Sequence, residues 1–245
     1  MTTAQRMLLS INKQCNSDWD KMFKAIQSKE YPKDDIKDED IEQYHNFVCI
    51  TDPNYPTKLK MSFKPPFVLF YEGNLDLLNE KNIMCVCGCD KGSNELSKLI
   101  TELSNTHIIC SGDDSSIERE ALQLAMKNEQ PLILVLNTSI DESDLDDEVF
   151  LYAIKHGLVL TETGYQSLDC DYTQLAKTRI IGFLSDSMLV TSSNKKNTRI
   201  CMLIDEALSG GKDIFVLPEP PFKGSLNNEL IRDGAILCNK AQDVF

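Results

Sequence analysis

The sequence predicts an α/β protein built on a mostly parallel sheet with helices on both faces, plus a small N-terminal helical appendage. Three observations lead there. From Phe47 onward apolar strand-like runs alternate with amphipathic stretches, the pattern of strand–helix–strand crossovers. The chain has 245 residues and is 42% apolar, enough to bury a sizeable core. The first 45 residues follow a different regime, with a helical stripe in place of strands.

Residues 1 to about 45 read as one or two short helices, with Trp19, Met22, Phe23 and Ile26 at the i, i+3, i+4, i+7 spacing of a buried stripe. An acidic stretch, "YPKDDIKDEDIEQYH", follows at 31–45. Candidate strands then run Ile83–Cys87, His107–Cys110, Leu132–Leu136, Leu158–Leu160, Ser187–Thr191 and Ile214–Leu217. Helical patterns fill most of the gaps, as in "SNELSKLITELS" and "SIEREALQLAMK". Strands joined by helices of this length require a parallel sheet covered on both sides, a Rossmann-like arrangement. The expected division is residues 1–45 as appendage and acidic linker, and residues 46–245 as the core domain.

Composition narrows the function classes. No apolar run approaches the ~20 residues that span a bilayer, and "MTTAQRMLLSINKQC" lacks the features of a secretory signal, so a cytoplasmic protein without a membrane partner is expected. Nine cysteines without a regular framework read as reduced, mostly buried thiols. The net charge is −13, yet the stretch at 31–45 and "DESDLDDE" at 141–148 account for −10 of it. The remaining chain is nearly neutral and leaves room for a local basic groove.

In a parallel sheet, ligands bind beyond the carboxyl ends of the strands. The loops there are "GCDKGS", "SGDDSS", "NTSIDESD", "TETGYQS", "SSNKKNTR" and "PEPPFKGS". Gly88, Gly92, Ser111 and Gly112 permit close backbone approach, and helix starts beyond them offer free N–H groups to a phosphate; glycines also simply make tight turns. Cys85, Cys87 and Cys89 alternate on one strand face, but zinc spacing is missing and packing is the expected role. His45, His107 and His156 are scattered. There is no G-x-S-x-G, no H-E-x-x-H and no Walker lysine loop, so no catalytic residue, metal or cofactor is expected.

Several segments together resemble the DprA/Smf family, the DNA-processing proteins of bacterial transformation. "YPTKLKMSFKPPFVLFYEGNLDLL" (55–78) is similar to its Y-P-x-x-L…P-P-x-x-L-y-x-x-G-n lead-in, and "ELIRDGA" (229–235) to its closing L-I-x-x-G-A motif. Between them "VCGCD" stands where V-G-S-R is usual, "SGDDSSIE" for S-G-x-A-x-G-I-D, "LTE" for L-S-E, and "LAKTRIIGFLSD" for F-P-x-R-N-R-I-I-x-x-L-S. The resemblance implies a Rossmann-like single-stranded DNA-binding protein that forms a homodimer and helps load a RecA-like recombinase. It implies that Lys177 and Arg179 occupy the positions of two loop arginines that contact phosphates. Lys177 keeps the charge and loses the planar fork. Asp90 and Ser116 replace an arginine and a glycine of the family pattern.

Lys91, Lys195, Lys196, Arg199 and Lys223 lie in the same strand-end loops. The expected DNA-binding set is therefore Lys177, Arg179, Lys195, Lys196, Arg199 and Lys91, with Ser111, Gly112 and Gly88 giving backbone N–H groups. Tyr165, Tyr172 and Phe222 are the aromatic candidates for stacking bases. The chain stops at Phe245 soon after the closing motif, so the core domain without a winged-helix extension is expected. Two alternatives stay open on the residues alone: a nucleotide-binding or nucleotide-hydrolysing protein using Glu162, and a decayed site kept as a protein-interaction module.

Overall fold

The computed structural model describes residues 1–29, 46–89, 92–142, 146–164, 170–220 and 226–244. Its centre is a sheet that among these residues has nine strands. They are β1 (Asn46–Cys49), β2 (Val68–Gly73), β3 (Ile83–Gly88), β4 (Ile108–Ser111), β5 (Leu132–Val135), β6 (Leu158–Thr161), β7 (Ser187–Ser192), β8 (Asp213–Val216) and β9 (Ile236–Leu237). Their order is β1-β2-β6-β5-β4-β3-β7-β8-β9. The seven from β6 to β9 run parallel, while β2 joins β6, and β1 joins β2, in antiparallel register. All six strands expected from sequence are present, with ends shifted by a residue or so.

Among the described residues the α-helices are α1 (Thr3–Cys15), α2 (Trp19–Ser28), α3 (Thr57–Lys60), α4 (Asn94–Ser104), α5 (Ser116–Lys127), α6 (Glu148–His156), α7 (Cys170–Leu184), α8 (Thr198–Ser209) and α9 (Asn227–Arg232). Alternation along β3 sends Met84 and Val86 to one face and Ile83, Cys85 and Cys87 to the other. On the first face Leu99, Ile100 and Leu103 of α4, Ile117 and Leu122 of α5, and Val149 and Phe150 of α6 close a buried core. On the second, Ile180, Ile181 and Leu184 of α7 pack with Ile200, Leu203 and Ile204 of α8. Burial on both faces explains why the strands read as continuous apolar runs.

Helix α1 starts at a capping box, in which Thr2 and Gln5 each accept from the other's backbone N–H. Its Leu8 and Leu9 join the same buried cluster as Phe70 of β2. The α2 stripe is only partly buried. Trp19 and Met22 are inside, but Phe23 is 43% exposed and stacks on the Trp19 ring at 5.0 Å. Cys85 and Cys87 are buried as packing residues, whereas Cys89 lies just past the end of β3 and is exposed. The acidic stretch 31–45 falls outside the described residues. Among the described residues no helix is long and apolar enough to cross a membrane.

From β3 the chain adds β4, β5 and β6 outward on one side, then returns through α7 to place β7 beside β3. The helices that follow β3 and β7, α4 and α8, pack on opposite faces of the sheet, the arrangement that in open α/β sheets places ligands at the carboxyl edge. The described parts of the loops after β4, β6 and β7 begin at this edge.

Candidate nucleic-acid interface

Each part of the edge is set by local chemistry. After β4 the chain turns through Gly112 and Asp113 into α5, which Ser115 caps by accepting from the Glu118 N–H at 3.3 Å. The backbone at Gly112 passes close to the network, since a Cβ there would lie 2.7 Å from Asp114 Oδ2 and 3.0 Å from Lys177 Cδ. At Gly88 a Cβ would lie 2.0 Å from Thr191 Oγ1, so β3 and β7 pack closely at their carboxyl ends. The Cys89 N–H donates to Ser192 O at 3.1 Å and Ser192 Oγ at 2.9 Å, tying the two loops together.

The centre of the site is the Asp114 carboxylate. It accepts from Lys177 Nζ at 2.5 Å, from Gln174 Nε2 at 3.1 Å and from Arg199 Nη1 at 3.3 Å. Lys177 Nζ also donates to Gly112 O at 3.2 Å. Arg199 turns its other nitrogen to Glu118 Oε1 at 2.5 Å. Glu118 is buried, and its second oxygen accepts the Asp114 N–H at 3.0 Å and Ser111 Oγ at 3.5 Å. Burial pushes the Glu118 carboxyl upward, with Arg199 opposing. Beside this network Arg119 bridges Asp113 at 2.7 Å and Asp147 at 2.5 Å. A cavity of about 250 Å³ opens here, lined by Gly112, Asp114, Arg119, Thr138, Asp147 and Lys177 among others.

Two residues along a helix are about 200° apart, so Lys177 and Arg179 face different sides of α7. Arg179 donates to Glu162 Oε2 at the end of β6. Both are buried, at 7% and 3% exposure, and among the described residues Arg179 Nε and Glu162 Oε1 have no partner. Burial pushes the Glu162 carboxyl up to about 7, with the Arg179 charge holding it from rising further. Arg179 also lines a second cavity of about 310 Å³, walled by Phe63, Leu175, Met202 and Tyr172. Phe63 is 90% exposed at its mouth.

Ser111, Gly112, Lys177 and Arg199 come together around Asp114. Lys177 and Arg179, expected at the positions of two phosphate-contacting arginines, both lie in helix α7 as buried ion-pair members, because Asp114 and Glu162 reach them from strand ends remote in sequence. Lys195 is exposed and pairs with Glu229 at 2.5 Å. Lys196 is exposed, with its backbone N–H on Asn194 Oδ1 at 2.9 Å. Gly88 ends β3 against Thr191 and Ser192 of β7. Tyr172 is turned inward, its hydroxyl accepting the Trp19 N–H and donating to Ser17 O at 3.4 Å. Lys91, Lys223, Tyr165 and Phe222 lie outside the described residues.

Sequence reasoning missed Asp114, Gln174, Arg119 and Phe63. For Asp114 a signal existed, since it stands at the alanine of S-G-x-A-x-G-I-D. For Phe63 none did, because exposure of a lone aromatic is not written in local pattern.

The family model for DNA recombination-mediator protein A matches residues 46–245. The DNA processing protein DprA of Streptococcus pneumoniae (strain ATCC BAA-255 / R6) is 30% identical over 207 residues, covering 80% of this chain and 72% of that protein. DprA of Bacillus subtilis (strain 168) is 25% identical over 215 residues, covering 83% and 71%. Among solved structures, DprA from Streptococcus pneumoniae superposes with a TM-score of 0.75 at 25% identity, covering 98% of this chain and 91% of that one. DprA from Helicobacter pylori, a protein with a single-stranded DNA binding mode, superposes at 0.70 with 21% identity, covering 82% and 94%, a likeness of fold.

Proposed function

The chain belongs to the DNA recombination-mediator protein A family, and from that premise we propose that it is a non-catalytic single-stranded DNA-binding protein of DNA processing. In this reading the strand's phosphates lie along the carboxyl edge of the sheet, met by Lys177, Arg199, Lys195, Lys196, Arg179 and Lys91 and by the backbone around Ser111, Gly112 and Gly88. The protein works in the cytoplasm as a homodimer that assists a RecA-like recombinase, with residues 46–245 as the binding core. The observation that carries the reading is the convergence of Lys177 and Arg199 on a single anionic group beside the Gly112 loop. Two cations and a glycine-lined turn at a strand end suit a phosphate.

The non-catalytic part is supported by Glu162. A nucleotide hydrolase of the alternative class needs this carboxylate free at the strand end, yet it is 3% exposed and held by Arg179. A second reading, an interaction module with little DNA affinity, is favoured by one observation: Lys177, Arg179, Arg119, Arg199 and Lys195 each face a carboxylate. Fluorescence anisotropy of a labelled, unstructured oligonucleotide separates the two. Single-stranded binding that weakens with salt, at a log–log slope of about −0.7 for each neutralised phosphate, supports the DNA reading. Absence of binding at low salt favours the interaction module.

A further inference from the structure

Three donors from two helices meet on the Asp114 carboxylate, and one of them, Lys177 Nζ, belongs to a residue only 2% exposed. A lysine does not hold its ammonium group in so dry a place without an anion against it. The anion here is supplied by the chain itself. A carboxylate and a phosphate present oxygens of similar charge to such donors, and the guanidinium of Arg199 accepts either. Asp114 is 18% exposed in its side chain and borders the 250 Å³ cavity, so the carboxylate sits between the buried lysine and open space.

We propose that Asp114 is a built-in occupant of a phosphate seat formed by Lys177, Arg199 and Gln174, and that it sets how strongly this edge takes a phosphate. The inference rests on the DNA reading for the identity of the ligand but on the cradle's geometry for the seat itself. An incoming phosphate must displace the carboxylate before it reaches Lys177. The wild-type protein therefore binds the strand less tightly, and with fewer neutralised phosphates, than its cations alone would allow. The departure from alanine at this position is then the specificity-determining change in the loop.

The test uses the full chain as wild type, Asp114→Ala and Asp114→Asn, the last keeping the shape and an acceptor oxygen if the alanine variant does not fold. Two readouts are taken: thermal unfolding in chloride against inorganic phosphate at matched ionic strength, and anisotropy titration with a labelled thymidine oligonucleotide. The expected result is that phosphate raises the melting temperature of the variants by several degrees relative to wild type. Oligonucleotide affinity rises roughly tenfold and the salt slope steepens by about 0.7. Equal phosphate response in all three proteins, with no gain in oligonucleotide binding, overturns the seat even if wild type binds DNA. A phosphate response confined to the variants, with no oligonucleotide bound by any protein, upholds the seat and sinks the DNA reading.

Discussion

Replacing Arg179 with alanine leaves Glu162 buried with no counter-charge, and the size of the effect follows from burial. An exposed cation contributes about 1 kcal/mol or less to stability. Arg179 and Glu162 are instead 7% and 3% exposed, so removal of one partner falls in the range of about 3–5 kcal/mol. That is a large part of the roughly 5–15 kcal/mol that holds a domain together, and corresponds to a fall in melting temperature of roughly 10 °C. Urea unfolding followed by fluorescence of Trp19, the single tryptophan, measures it, since its ring is stacked against Phe23 and Phe67.

The loss should depend on pH. The Glu162 carboxyl is raised from 4.5 to about 7 in the folded protein. Between those values the folded state holds a proton that the unfolded chain has released, so this group makes stability fall as pH rises through the window. Without Arg179 the carboxyl rises further and the fall continues to higher pH, so the Arg179→Ala penalty should be smaller near pH 5 than near pH 8. The double variant Arg179→Met/Glu162→Gln should recover most of the loss, because both charges leave together. A loss below about 1 kcal/mol that is the same at both pH values would refute the reasoning and return Arg179 to the status of a surface cation.

Phe63→Ala should leave stability within about 0.5 kcal/mol, since the ring is 90% exposed. If the ring stacks on a base, the same variant weakens oligonucleotide binding about tenfold in anisotropy titration; unchanged affinity removes Phe63 from the interface. Gly88→Ala should lower the urea midpoint by an amount equivalent to about 1–3 kcal/mol, because the new Cβ meets Thr191 Oγ1 at 2.0 Å. Lys195→Ala/Lys196→Ala should not move the melting curve but should flatten the salt slope by up to about 1.4, and an unaltered slope would place both lysines outside the DNA path.

The parallel core was legible because its strands are buried on both faces and read as apolar runs flanked by helical periods. β1 and β2 were not recognised as strands, although Val68–Gly73 lies inside a quoted motif: Pro65 and Pro66 precede it, and its partners are the short β1 and the distant β6. β9 has two residues, too few for any pattern. The cations of the site were legible in the sequence, and their carboxylate partners were not. The charge of Lys177 is visible in the sequence, but its partner Asp114 lies 63 residues earlier, and Glu162 lies 17 residues before Arg179. Pairing across strand ends is a property of topology, so the burial and neutralisation of both cations appeared only once the strand order was known.

The central claim is that the carboxyl edge of the sheet receives a single strand at the loops around Asp114, and hydrogen–deuterium exchange with and without an unstructured thymidine oligonucleotide tests it most directly. The account predicts slowed exchange concentrated in residues 111–119 and 192–199, with the first half of α7 following them. Protection confined to α1 and α2 or to the β9 edge, or no change at saturating oligonucleotide, would contradict it.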